Sequence, residues 1–175
     1  MVEVRAVGTT PPLAAEALCV TVGRQIVVDQ WHWCAQPGEW WVVLGRNGAG
    51  KSTLLATLAG LATPQAGCVL LADRPLPRWS RRQLARLRGF LSQHPSFPET
   101  ATVAEAVMVG RHPHLGRWQW QEGSGDRQIV EAALVRLDLV ALADRPLATL
   151  SGGEQQRVAL AALLAQQPRL FFLDE

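Results

Sequence analysis

The stretch GRNGAGKS at 45–52 has the residue types and the spacing that most clearly indicate chemistry. It fits the pattern G-x-x-x-x-G-K-[ST], with an apolar segment before it and a helical segment after it. The glycines let the backbone turn tightly and bring its N–H groups against phosphate oxygens, and the following helix adds the positive end of its dipole. Lys51, the only lysine of the chain, can contact the β- and γ-phosphates, and Ser52 can offer its hydroxyl to Mg²⁺. The motif predicts nucleotide binding.

A second stretch, LSGGEQQRVALA at 150–161, has the composition of a helix N-terminus. Ser151 is a strong N-cap residue, and Glu154 lies in the first turn. Gly152 and Gly153 leave the N-terminal amides exposed. The stretch is either a second anion-binding helix terminus or an ordinary capped helix with a polar first turn.

The chain ends on RLFFLDE, an apolar run followed by two acids, Asp174 and Glu175. A short apolar run of this kind is typical of a buried parallel strand. In α/β folds, ligands bind at the carboxyl edge of the parallel strands. We therefore expect both acids at a ligand-binding edge.

The elements that must position these motifs alternate between strands and helices. The predicted strands are Ala17–Val22, Ile26–Trp33, Trp40–Leu44, Cys68–Ala72, Gly89–Ser92 and Leu170–Leu173; the predicted helices are Ser52–Ala59, Ser80–Leu87, Thr102–Gly110, Asp126–Leu139 and Gly153–Gln166. A loop around Trp118–Gly125 separates the third and fourth helices. The order predicts an α/β core interrupted by a helical insert.

Composition agrees with a globular domain, because 48% of the 175 residues are hydrophobic and 18% are charged. A net charge of +2 is too small to argue by itself for a nucleic-acid or membrane surface. Arg78, Arg82 and Arg86 fall on one face of a predicted helix. They are either a nucleic-acid or acidic-lipid patch or, as we favour, a solvated helix face.

Four motifs in order resemble the ATPase domain of ABC transporters, over nearly the whole chain. GRNGAGKST resembles the Walker A loop, FLSQHP the Q-loop, LSGGEQQR the signature motif and LFFLDE the Walker B strand. The resemblance implies an α/β fold of the P-loop NTPase (RecA-like) type, with an N-terminal antiparallel β-subdomain and an inserted α-helical subdomain. It implies a core at 1–94 and 151–175 and a helical subdomain at 95–150. Because the family continues past Walker B, we expect the C-terminal part of the core, with its D-loop and switch histidine, to be missing.

The resemblance also implies the site, with ATP and Mg²⁺ as cofactors. Lys51, Gln93 and Glu175 would be catalytic, with Glu175 polarising the attacking water. Ser52, Gln93 and Asp174 would hold Mg²⁺. The implied ATP contacts are Gly45, Asn47, Gly48, Ala49, Gly50, Lys51, Ser52, Thr53, Ser151, Gly152, Gly153 and Glu154. The family's adenine-stacking aromatic has Val22 at its position here, and Trp31 or Trp33 are candidate substitutes.

The implied partners follow from the signature motif and from one further segment. In the family, the signature residues bind the γ-phosphate of ATP held by the other subunit, which implies a head-to-tail ATPase dimer. The segment TVAEAVMVGRHPHLGRW at 102–118 is similar to the permease-contacting segment of iron-siderophore, haem or cobalamin importers. We therefore expect an ATP-hydrolysing importer subunit, peripheral on the cytoplasmic face of the membrane. Its partners would be integral permease subunits and a substrate-binding protein, with no nucleic acid.

Two alternatives stay open at this point. A nucleic-acid-associated ABC ATPase is the first, although the 100 positions between Lys51 and Ser151 are close to transporter spacing. A truncated nucleotide-binding fragment without turnover is the second.

Overall fold

The structure is a computed structural model, and it describes residues 12–93, 95, 97–98, 100–115 and 124–174. The chain divides into two compact units, Met1–Leu84 and Ala85–Glu175. Within the described residues, no helix combines the length and the apolar character needed to cross a membrane. Most of the predicted Trp118–Gly125 loop lies outside the described residues, and Gly125 itself lies in a helix.

The first unit contains a four-stranded antiparallel sheet of order β2-β1-β3-β4. The strands are β1 (Leu13–Val22), β2 (Gln25–Ala35), β3 (Ala66–Leu71) and β4 (Arg74–Pro75). The buried apolar residues of β1 and β3 include Leu18 and Leu71, which are completely buried. In β1 the burial follows the period of two of a strand on each side of the register shift between Ala15 and Leu18. The predicted antiparallel β-subdomain is confirmed, and both N-terminal strands are longer than predicted.

The predicted strand Trp40–Leu44 is wrong. This segment lies outside both described sheets, in backbone without regular secondary structure that leads into the phosphate loop, with Trp40 84% and Leu44 86% exposed. Its apolar composition is that of a strand covered on both faces, but such burial requires strands on its flanks and layers above and below. Among the described residues no strand pairs with it, so most of its side chains are exposed. The helix that follows is α1 (Lys51–Leu58).

A helical core dominates the second unit. Its helices are α2 (Arg81–Leu87, which crosses the boundary between the units), α3 (Val103–Val109), α4 (Ser124–Arg136) and α5 (Gly152–Gln166). Short 3₁₀ turns lie at Val140–Leu142 and Leu147–Thr149. Apolar residues of α3, α4 and α5, including Val107, Leu134 and Val158, form one buried cluster. A capping box of Thr102 and Glu105 begins α3.

The second unit also contains a parallel pair, β5 (Arg88–Leu91) and β6 (Leu170–Leu173), in register from Arg88 opposite Leu170 to Leu91 opposite Leu173. The bounds of β6 agree with the prediction. Its expected burial is wrong for half of its residues, because Phe172 is buried but Phe171 and Leu173 are 42% and 50% exposed. The alternation shows that one face of this pair is covered and the other is open.

Candidate functional site

The phosphate loop turns into α1 through glycines in the left-handed region. Gly48 has φ 78° and Gly50, the N-cap of α1, has φ 91°. An L-residue at such angles is strained, which explains glycine at both positions. Gly50 provides no capping side chain, and the first turn of α1 carries no acid. This helix N-terminus therefore has neither a side-chain cap nor a competing negative charge, and the helix dipole favours an anion there.

The Lys51 side chain folds back onto the start of this loop. Its Nζ donates to the carbonyl oxygens of Gly45, at 2.9 Å, and Arg46, at 3.2 Å. The Ala49 N–H also donates to Arg46, which closes the turn around the exposed Asn47. The ammonium thus lies beside the amide-lined loop, as a phosphate-binding lysine requires.

The other predicted residues of this loop lie in the first turn of α1. Ser52 is exposed there, where its hydroxyl can face a ligand at the helix N-terminus. The carbonyl of Thr53 accepts a 2.7 Å hydrogen bond from the buried Thr57 hydroxyl, one turn later in the same helix.

The tip of the β1–β2 hairpin lies against the loop. A Cβ added at Gly50 would overlap Val27 Cγ2 and would lie 3.4 Å from Val22 Cγ2. Val22, at the expected adenine position, therefore borders the loop and is 41% exposed. Sequence reasoning missed Val27, because only the pairing of β1 with β2 brings it here.

The candidate substitutes for the adenine-stacking aromatic contact other rings. Trp31 stacks on Trp33 with centroids 5.4 Å apart, and Trp33 meets Trp41 edge-to-face at 5.3 Å. These three tryptophans form an aromatic cluster whose rings pack on one another.

The signature stretch forms the N-terminus of α5 with a complete capping box. Ser151 Oγ accepts from the Glu154 N–H at 3.3 Å, and the Ser151 N–H donates to Glu154 Oε2 at 2.7 Å. Gly152 and Gly153 are exposed, and an added Cβ at either would meet open space. The helix terminus is therefore open to a ligand from outside.

Glu154 affects how this terminus can bind an anion. Its carboxylate also accepts a 2.7 Å hydrogen bond from the Ser151 hydroxyl. The hydrogen bonds from the Ser151 hydroxyl and N–H hold the pKa of Glu154 below its usual value. The Ser151 proton that a phosphate oxygen would accept is therefore engaged by a carboxylate of the same charge sign as phosphate.

Gln93 and Asp174 lie at one edge of the parallel pair. Each follows the carboxyl end of its strand, and the Asp174 N–H continues the ladder by donating to Leu91 O at 2.9 Å. Strand register therefore brings both residues to the edge where α/β sheets bind ligands. Glu175 lies outside the described residues.

The chemistry of each residue predicted to hold Mg²⁺ fits that ion. Ser52 lies in the first unit, and Gln93 and Asp174 lie in the second. A hydroxyl, an amide oxygen and a carboxylate are hard oxygen ligands of the kind that Mg²⁺ prefers alongside substrate phosphates. Within the described residues no group of three or more His, Cys, Asp and Glu forms a dedicated metal cage. A magnesium ion bound with nucleotide is the type of metal that these residues suit.

Comparison with known proteins decides the family. The family model described as ABC transporter matches residues 28–175. The chain belongs to the ABC transporter family. The predicted resemblance is thereby confirmed, and the match includes the phosphate loop, the signature stretch and the final acids.

Two curated ABC relatives cover nearly all of the chain. A probable siderophore transport system ATP-binding protein, YusV of Bacillus subtilis, is 38% identical over 93% of this chain and 59% of its own length. The hemin import ATP-binding protein HmuV of Gloeobacter violaceus is 41% identical over 93% of this chain and 61% of its own. The chain thus spans about three fifths of the length of these relatives.

A solved ABC structure shares the fold. It is an inward-facing conformation of a metal-chelate type ABC transporter, with a TM-score of 0.75 and 31% identity, over 95% of this chain and 60% of that one. The α/β ABC ATPase fold predicted from the motifs is confirmed.

Proposed function

We propose that the chain is the ATP-binding and ATP-hydrolysing part of an importer of an iron-siderophore or haem. Cobalamin is the third substrate class that the segment at 102–118 implies. The observation that carries the proposal is the phosphate loop, where Lys51 lies over a turn formed by left-handed glycines at an uncapped helix N-terminus. The relatives' names, siderophore transport and hemin import, support the substrate class.

In this proposal each motif has a distinct task. The backbone N–H groups of the loop and Lys51 bind the phosphates, and Ser52, Gln93 and Asp174 hold Mg²⁺, which neutralises phosphate charge. Gln93 and Glu175 orient and polarise the attacking water. Catalysis of phosphoryl transfer is mostly positioning and charge stabilisation, which suits a site made of backbone donors and a few fixed side chains.

The proposed assembly is a head-to-tail ATPase dimer. The exposed terminus at Ser151, Gly152 and Gly153 would bind the γ-phosphate of ATP held by the other subunit. Integral permease subunits and a substrate-binding protein would complete the importer, with this subunit peripheral at the cytoplasmic face. We also propose the division into a core at 1–94 and 151–175 and a helical subdomain at 95–150.

The test uses the protein as its gene encodes it, reconstituted with the permease from a neighbouring gene. We expect ATP-dependent uptake of an iron chelate into vesicles, and its loss in Lys51→Ala together with ATP hydrolysis. Arg136→Ala, in the last turn of α4 and exposed, is the matched control for removal of a cation. Hydrolysis that persists in Lys51→Ala would contradict the proposal.

A further inference from the structure

The last turn of α5 is tied to strand β5 by one side chain. Gln166 Nε2 donates to the carbonyl oxygens of Ala85, at 2.6 Å, and Arg88, at 2.8 Å. These two carbonyls flank the point where α2 ends and β5 begins. Both N–H groups of one amide thus hold the start of the strand that leads to Gln93.

The same turn is held from its other side by the loop after α3. Arg111, 5% exposed, donates from Nη1 to Ala165 O at 2.7 Å and from Nε to Asp126 Oδ1 at 2.8 Å. His114 Nε2 lies 2.9 Å from Gln166 O. Because a carbonyl only accepts, this nitrogen carries the proton. Two donors thus satisfy C-terminal carbonyls of α5, and the arginine charge matches the negative end of the helix dipole.

The backbones on both sides of α5 approach it too closely for a side chain. A Cβ at Gly89 in β5 would overlap Leu163 Cδ1 and lie 2.8 Å from Pro168 Cγ. A Cβ at Gly110 would overlap Ala162 O. The last turns of α5 are therefore fixed between β5 and the loop after α3.

We propose that Gln166 is a positioning residue. It keeps strand β5, and through it Gln93, aligned with helix α5, which begins at the signature stretch. The inference rests on the proposed function, since it concerns how that site is aligned. The geometric basis is that α5 begins at the signature stretch and ends at Gln166, so one helix joins the two. Four residues of β5 and its extension separate Arg88, which Gln166 holds, from Gln93.

The consequence for rate follows from the geometry of catalysis. Misplacement of a catalytic group by about 1 Å costs on the order of 100-fold in rate. Gln166→Glu replaces both donors with a carboxylate that faces two carbonyl oxygens, so it releases the start of β5. Nucleotide binding by the loop around Lys51 uses none of these contacts and remains.

The test compares Gln166→Glu with the wild-type protein as its gene encodes it, and with Gln128→Glu. Gln128 is exposed on α4, so this control makes the same chemical change away from the junction. The rate of ATP hydrolysis of each variant is divided by the amount of a fluorescent ATP analogue that it binds per chain. We expect kcat to fall at least about tenfold with KM for ATP within about threefold. Amide hydrogen exchange should accelerate across Arg88–Leu91 but not across Lys51–Leu58.

Three outcomes would overturn the inference: faster exchange in β5 with unchanged kcat, unchanged exchange in β5, or an equal loss of kcat in Gln128→Glu. If Gln166→Glu fails to fold, Gln166→Met, which removes the donors without adding charge, decides by the same readouts. If the wild-type protein does not hydrolyse ATP, the proposed function itself fails, and the inference falls with it for that separate reason.

Discussion

Gly50 is the residue whose replacement tests the loop geometry most directly. Alanine at φ 91° costs about 1–2 kcal/mol in backbone strain. Its Cβ would also overlap Val27 Cγ2 and lie 3.2 Å from Val27 Cγ1. An overlap of this type in packed surroundings costs about 1–3 kcal/mol more. The chain can relieve both terms by abandoning the loop conformation, so ATP binding must restore a strained state.

Expressed as affinity, the summed cost of about 2–5 kcal/mol weakens ATP binding by roughly 30-fold to several thousand-fold. Gly48→Ala is the matched control, because Gly48 has φ 78° but open space around an added Cβ. Its ATP affinity should fall by the backbone strain alone, which corresponds to roughly 5- to 30-fold. The assay is equilibrium titration with a fluorescent ATP analogue, with thermal unfolding measured in parallel.

The double variant Val27→Ala/Gly50→Ala separates the two terms. Removing both Val27 methyl groups should return the affinity to the Gly48→Ala level, with a coupling energy of about 1–3 kcal/mol. Val27→Ala alone gives the baseline of the cycle. The reasoning is refuted if Gly50→Ala binds ATP as tightly as the wild type, or if the double variant recovers nothing.

Three further predictions concern the second unit. Glu154→Gln should strengthen ATP-dependent dimerisation by about three- to tenfold, because the neutral amide is a weaker acceptor for the Ser151 hydroxyl than the carboxylate and removes a charge of the same sign as phosphate. Dimerisation is measured by analytical ultracentrifugation, and an unchanged dimerisation constant would contradict this prediction. Hydrogen bonds from the Ser151 side chain and backbone hold the pKa of Glu154 low, and a backbone hydrogen bond does so for Glu105. Both capping boxes therefore stabilise their helices above pH about 4.5, and this stabilisation is lost as the pH falls through the lowered pKa values. As the pH falls, amide hydrogen exchange should accelerate at the N-termini of α3 and α5 before it accelerates elsewhere. A uniform acceleration over both helices would contradict this prediction. Arg111→Met should lower the free energy of unfolding, measured with urea, by about 3 kcal/mol, because it leaves the Asp126 carboxylate unpaired. Adding Asp126→Leu in the same chain should recover part of that loss. Additive losses from the two substitutions would contradict the pairing.

Local patterns in the sequence predict most of the elements. Leu170–Leu173 is recovered with its bounds, and the helix predicted from Gly153 begins one residue earlier, at Gly152, because a short apolar run and a capping residue are local signals. Trp40–Leu44 fails for the opposite reason. Its composition indicates burial, but burial depends on which strands pair with it, and that information is not local.

The residues of the candidate site also divide into those that local sequence signals predict and those that depend on non-local contacts. The loop glycines and Lys51 are predictable because the chemistry needs them at fixed spacing. Val27, Arg111 and Gln166 are not, because each acts on residues far away in sequence; Gln166 reaches carbonyls about 80 positions earlier. A glutamine at the end of a helical pattern, or an arginine just after one, is interpreted as a solvated residue until the fold shows which carbonyls it contacts.

In the proposed function, the loop before α1 binds the phosphates of ATP. Calorimetric titration of the native gene product with MgATP, and then with adenosine, tests it most directly. We expect saturable MgATP binding that Lys51→Ala weakens at least about tenfold. Adenosine should bind much more weakly, because charge-assisted contacts to phosphate supply most of the affinity. Equal affinity for MgATP and adenosine, or MgATP binding that Lys51→Ala leaves unchanged, would contradict it.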